Sequence, residues 1–131
     1  MKEMLSARML ENLNVRVAVL HVGTYSLPAR IRVRGRVVEC LVPTWAGIGD
    51  TLGESGEAML LAFVEVGPVL TWVFVRGHAS LATGVDQEWQ GLPGSAPSSR
   101  QDLYEMVRLD PVRIEFVDER RGWGYRETVD L

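Results

Sequence analysis

The sequence predicts a mainly β domain in which about six antiparallel strands form a small closed or split barrel with short flanking helices. Three observations predict it. Apolar and polar residues alternate strictly at residues 29–34 and 112–116, the period of a strand with one buried face. Long β-branched apolar runs occupy residues 58–66 and 69–81. Gly, Pro and Asp punctuate these segments at hairpin-like intervals. The chain has 131 residues, 47% hydrophobic and 24% charged. That is enough for one domain, residues 1–131, with a real core and no disordered half.

The elements follow in order. Leu5, Met9 and Leu13 recur every four residues between Arg8, Glu11 and Asn12, the stripe of an amphipathic helix over the end of a sheet. Residues 15–22 place Val15, Val17 and Val19 on one parity and Leu20 and Val22 on the other, which predicts a central strand buried on both faces. Residues 23–28, ending in Pro28, read as a loop. On the next strand Ala29, Ile31 and Val33 face a core, while Arg30, Arg32 and Arg34 make the other face cationic. Arg34-Gly35-Arg36 turns the chain, and residues 37–42 return as the second arm of a hairpin ended by Pro43. The glycines at 47, 49, 53 and 56 favour a loop with one helical turn. Two strands joined by Gly67-Pro68 then form the heart of the sheet, followed by a Gly/Pro/Ser-rich surface loop over residues 84–99. Ser99 and Asp102 read as a capping box for a helix carrying Leu103, Met106 and Val107 up to Pro111, with a last strand at residues 112–116. Trp123 and Tyr125 lie in the tail beyond it, placed either to line a subunit interface or to strap the sheet edge.

Several function classes are excluded by composition. The net charge of -3 argues against a nucleic-acid partner, and the arginines at 16, 30, 32, 34 and 36 lack interleaved stacking aromatics. No run reaches the length of a membrane span and the amino terminus lacks a signal-peptide core, so a cytoplasmic protein without a membrane partner is expected. The single cysteine, Cys40, sits in an apolar strand as a structural thiol. Lys2 is the only lysine, at a terminus, which disfavours Schiff-base chemistry. The glycine spacings fit neither a dinucleotide fingerprint, a P-loop nor a nucleophile elbow. His21 and His78 have no second ligand at metal-binding spacing, and no catalytic residue or metal ligand is assigned.

The order of elements from Val15 onward, with the strings Thr71-Trp72-Val73-Phe74-Val75-Arg76-Gly77-His78-Ala79, Leu103-Tyr104 and Pro111-Val112-Arg113-Ile114-Glu115-Phe116, resembles the pyridoxamine 5′-phosphate oxidase-like family. The resemblance implies a six-stranded antiparallel split β-barrel, a homodimer, and FMN held at the subunit interface of a flavoprotein oxidoreductase. It also implies a phosphate site at Arg30, with Arg32 on the same strand face, and Thr44 after the third strand; arginine suits a phosphate because its planar fork donates paired charge-assisted hydrogen bonds. Trp72 matches a position close to the flavin. The family's basic residue after the third strand is missing, since Thr44 to Asp50 contains an aspartate and no cation. Three readings of the ligand therefore stand side by side: FMN, a deazaflavin, or a barrel that has lost flavin and serves as a binding module for another small molecule or an interaction protein.

Overall fold

A computed structural model describes residues 8–11, 17–43, 47–48, 52, 56–82 and 104–131. Seven strands follow one another: β1 (Val17–Val22), β2 (Tyr25–Arg34), β3 (Val37–Pro43), β4 (Glu57–Glu65), β5 (Thr71–Ala82), β6 (Tyr104–Asp118) and β7 (Arg126–Asp130). They form one antiparallel sheet in the order β3-β2-β1-β4-β5-β6-β7, closed by pairing of β3 with β6. The protein is thus mainly β, a closed barrel of six strands with one strand added. β6 makes both arrangements possible. Its first half pairs with β3 from Tyr104 to Leu109, and the same edge further along pairs with β7 from Arg113 to Val117.

The barrel interior is the core, where Leu20, Ile31, Val38, Leu60, Val75, Leu109 and Ile114 are fully buried. Residues 8–11 are helical, and Met9 and Leu10 are buried in the same cluster, as are Ile48 and Leu52, two helical positions in the segment after β3. Cys40 is buried among them, and burial, with the nearby Glu39 charge second, pushes its thiol up to about 12. No helix among the described residues is long and apolar enough to cross a membrane.

Three expectations are corrected. Residues 25–28 belong to β2, not to a loop: Gly23 (φ 59°) and Thr24 make a tight turn, and Val22 already pairs with Tyr25. Pro28 is accommodated because the ladder to β3 begins only at Arg30, so its missing donor costs no sheet bond on that side. Residues 104–110 are strand rather than helix; Ser99, Asp102 and Leu103 lie outside the described residues. The spacing of Met106 and Val107 is equally that of a strand apolar on both faces, and here Val107 enters the core while Met106 packs outside against Leu41. Pro111 does not stop this strand, because it falls at a bulge between the Arg76–Arg113 and Gly77–Pro111 pairs. β1 is buried on one face only, with Val17 64% and Val19 42% exposed. Of the two readings of the tail, the strap along the sheet edge is the one that agrees with the register: the tail forms β7, which pairs along the edge of β6, while Trp123 is 87% exposed.

At Gly77 β6 passes so close that a Cβ would overlap the Asp110 carbonyl and lie 2.9 Å from Pro111 Cα. Only glycine permits this bulge. At the far end of β6, Asp118 is buried and accepts from Thr71 Oγ1 (3.3 Å), Arg120 N (3.1 Å) and Arg120 Nε (2.9 Å). Arg120 also reaches Glu65 at 2.9 Å, so the β4–β5 turn is tied to the end of β6. Chiefly through the Arg120 side-chain bond, the Asp118 carboxyl is held below the usual carboxylate range.

Candidate functional site

The outward side chains of β2 carry the first sequence-predicted site residues, and the hairpin register decides their surroundings. Arg32 faces Glu39 across the β2–β3 ladder, and Arg30 faces Leu41. The Arg32 guanidinium donates to Glu39 Oε1 from Nε at 3.0 Å and from Nη2 at 2.9 Å, with both residues buried. Arg34 approaches the same oxygen at 3.3 Å. Arg32 is therefore already bound to a carboxylate of its own hairpin.

Arg30 stands differently. It is half-buried, makes no ion pair with any described residue, and lines a cavity of about 310 Å³ with Val17, Pro28, Ala29, Leu41, Pro43 and Tyr104. The walls are mostly apolar, with a guanidinium and a phenol as their polar groups. Such a chamber can hold an anionic group by paired hydrogen bonds while covering an attached carbon chain. A buried unpaired cation is costly, so a half-buried arginine in a cleft is a ready partner for an incoming anion. Thr44 lies outside the described residues, although its neighbour Pro43 lines the cavity.

Trp72 does not line this cavity. It is half-buried on the outward face of β5, between Phe63 of β4 and Val117 of β6. The adjacent row on that face runs Pro28–Val19–Leu61–Phe74 across four strands. Together with Val17 and Phe63, 64% and 45% exposed, these side chains make an apolar patch beginning at the Arg30 cavity and extending to Trp72.

Two site residues were missed by reading the sequence. Tyr104 was hidden by the helical reading of its segment. Glu39 could have been found, because a two-residue turn at Gly35-Arg36 sets Arg34 opposite Val37 and hence Arg32 opposite Glu39.

No protein-family model and no curated protein matches the sequence. Solved structures match its chain path over nearly its whole length. A protein of the pyridoxinephosphate oxidase family related to general stress protein 26, from Clostridium acetobutylicum, superposes with a TM-score of 0.67 at 8% identity, covering 98% of this chain and 94% of that one. An FAD binding protein from Mycobacterium smegmatis gives 0.57 at 15% identity, with 95% and 96% covered. A heme binding protein from the same organism gives 0.64 at 16% identity, with 95% of this chain and 56% of that one covered. The neighbours thus include pyridoxamine 5′-phosphate oxidase-like proteins, and the barrel described above is the fold this chain shares with them.

Proposed function

We propose that the protein binds a flavin, FMN in the first place, with its phosphate on Arg30 and the cofactor at the interface of a homodimer. The observation that carries the reading is Arg30 itself, half-buried, without an ion pair among the described residues, in a cavity walled by apolar groups and Tyr104. Thr44 follows directly on Pro43 in that wall and is the hydroxyl proposed to assist. The apolar patch from Val17 to Trp72 is the surface a second copy would cover, and Trp72 is proposed to pack near the ring system there. A bound flavin supplies hydride and electron transfer, so the protein's part is position, charge and exclusion of water, and an oxidoreductase is the activity proposed. Arg32 contributes by holding Glu39 rather than by meeting the phosphate.

A second reading has its own observation. With Arg32 engaged by Glu39, Arg30 is the one arginine among the described residues that lines the cavity, a thin site for a dianion. A barrel that has lost FMN and serves as a binding module for another small molecule, or as an interaction protein, follows from that shortage of cations.

One titration separates the readings. FMN, FAD, a deazaflavin and haem are added to ligand-free protein, followed by absorbance, fluorescence and melting temperature. Saturable FMN binding that Arg30→Gln weakens about tenfold or more supports the first reading, since a charged hydrogen bond contributes about 1.5–3 kcal/mol. Absence of any flavin response removes it, and a haem or deazaflavin response alone selects the second.

A further inference from the structure

A second cavity, of about 410 Å³, lies toward the other end of the outward face and is lined by His21, Gly23, Glu57, Ala58, Met59 and Arg76. The strand register explains its composition. His21, Met59 and Arg76 form one row across β1, β4 and β5. Two strand spacings therefore separate the imidazole strand from the guanidinium strand, about 10 Å, with Met59 as an apolar floor between them. Glu57 follows on the same face of β4, two residues from Met59 and diagonal to Arg76.

The charged groups in this row are not spent on one another. Arg76 makes no ion pair with any described residue, Glu57 included. His21 Nδ1 meets Ser26 Oγ at 2.6 Å, which fixes the ring and leaves Nε2 as the nitrogen available to a ligand. A guanidinium on β5, a carboxylate on β4 and an imidazole on β1 give a site with one arginine and one carboxylate among its lining groups. A simple anion there would meet Glu57, and a simple cation would meet Arg76. A ligand carrying both signs leaves neither group unmatched.

We infer that this cavity is a binding site for a small zwitterion of the amino-acid type, its carboxylate on Arg76, its ammonium on Glu57 and its carbon skeleton against Met59. The site is separate from the Arg30 cavity, shares no lining residue with it, and stands whether or not a flavin is bound.

The test is isothermal titration of the ligand-free protein with L-leucine and with its two halves, isovalerate, which lacks the ammonium group, and isoamylamine, which lacks the carboxylate. Leucine is expected to bind saturably and about tenfold or more tightly than either half. Arg76→Gln should bring leucine down to the affinity of isoamylamine, and Glu57→Gln to that of isovalerate, losses of about tenfold each for a charged hydrogen bond. Both side chains are exposed, so the variants are expected to keep the wild-type melting temperature, and the FMN response of the Arg30 cavity should be unaltered in each. Leucine that fails to saturate, isovalerate or isoamylamine that binds as tightly as leucine, or an Arg76→Gln variant that binds leucine unchanged overturns the proposal.

Discussion

Arg30 and Arg32 stand two residues apart on one strand face, and what separates them is the residue opposite. Leu41 leaves the first guanidinium for the cavity, while Glu39 takes the second. Because Arg32 and Glu39 are both buried, Arg32→Leu should destabilise by about 3 kcal/mol, leaving a carboxylate with Arg34 as the cation seen beside it. The double variant Arg32→Leu/Glu39→Leu should recover most of that loss; denaturant melts of the single and double variants measure both. Gly77 is decided at the same scale. Gly77→Ala would drive a Cβ into the Asp110 and Pro111 backbone, so a loss of about 3 kcal/mol or soluble expression failure is expected in the same melts. The Cys40 thiol, with its pKa pushed up to about 12 and no exposed surface, should react with a thiol reagent only as fast as the protein unfolds.

Among the elements, β6 carries the most. It closes the barrel on β3, carries β7, and its end is gripped by Asp118. The Asp118 carboxyl is held below the usual carboxylate range in the folded state, mainly by the Arg120 side chain. Its contribution is therefore present above the unfolded value, about 3.9, and is lost as pH falls through the lower folded value. Asp118→Asn should be less stable than wild type at neutral pH, and the gap should narrow below about pH 4; urea melts from neutral to acid pH test this. A variant whose deficit stayed constant down to strong acid would contradict it. This strand was also the element least legible in the sequence. Leu103, Met106 and Val107 fit a helical stripe, yet a barrel strand that packs Met106 outside and Val107 inside shows the same apolar spacing. Pro111 looked like a helix stop because a bulge cannot be seen until its partner strand is in place. The part of the β2–β3 hairpin from Ala29 to Val42, by contrast, was readable, since alternation and a glycine turn are both local properties, whereas the Tyr25–Pro28 start of β2 was not.

For the whole molecule, the outward apolar patch is the feature with the widest consequence. Val17, Val19 and Phe63 remain substantially exposed on three neighbouring positions of β1 and β4, against a half-buried Leu61, Trp72 and Phe74. Sedimentation of the protein is expected to report a dimer, and Val19→Arg a folded monomer, because a buried unpaired guanidinium opposes association without touching the core. A monomeric wild type would remove the interface from the functional reading. The sequence by itself determined the class of fold, the number of principal strands before the tail, the buried thiol and the cationic face of β2, because period, turn chemistry and composition act over neighbouring residues. The family resemblance, rather than any local pattern, named Arg30, with Arg32, Thr44 and Trp72, as candidate cofactor contacts. Tertiary structure alone decided that β6 is one continuous strand with a bulge, that β7 joins it, that Arg32 is held by Glu39 while Arg30 and Arg76 make no ion pair among the described residues, and that Trp72 stands outside the Arg30 cavity. Each of these depends on which residue closure of the barrel brings opposite another, and that register is set by packing between segments tens of residues apart.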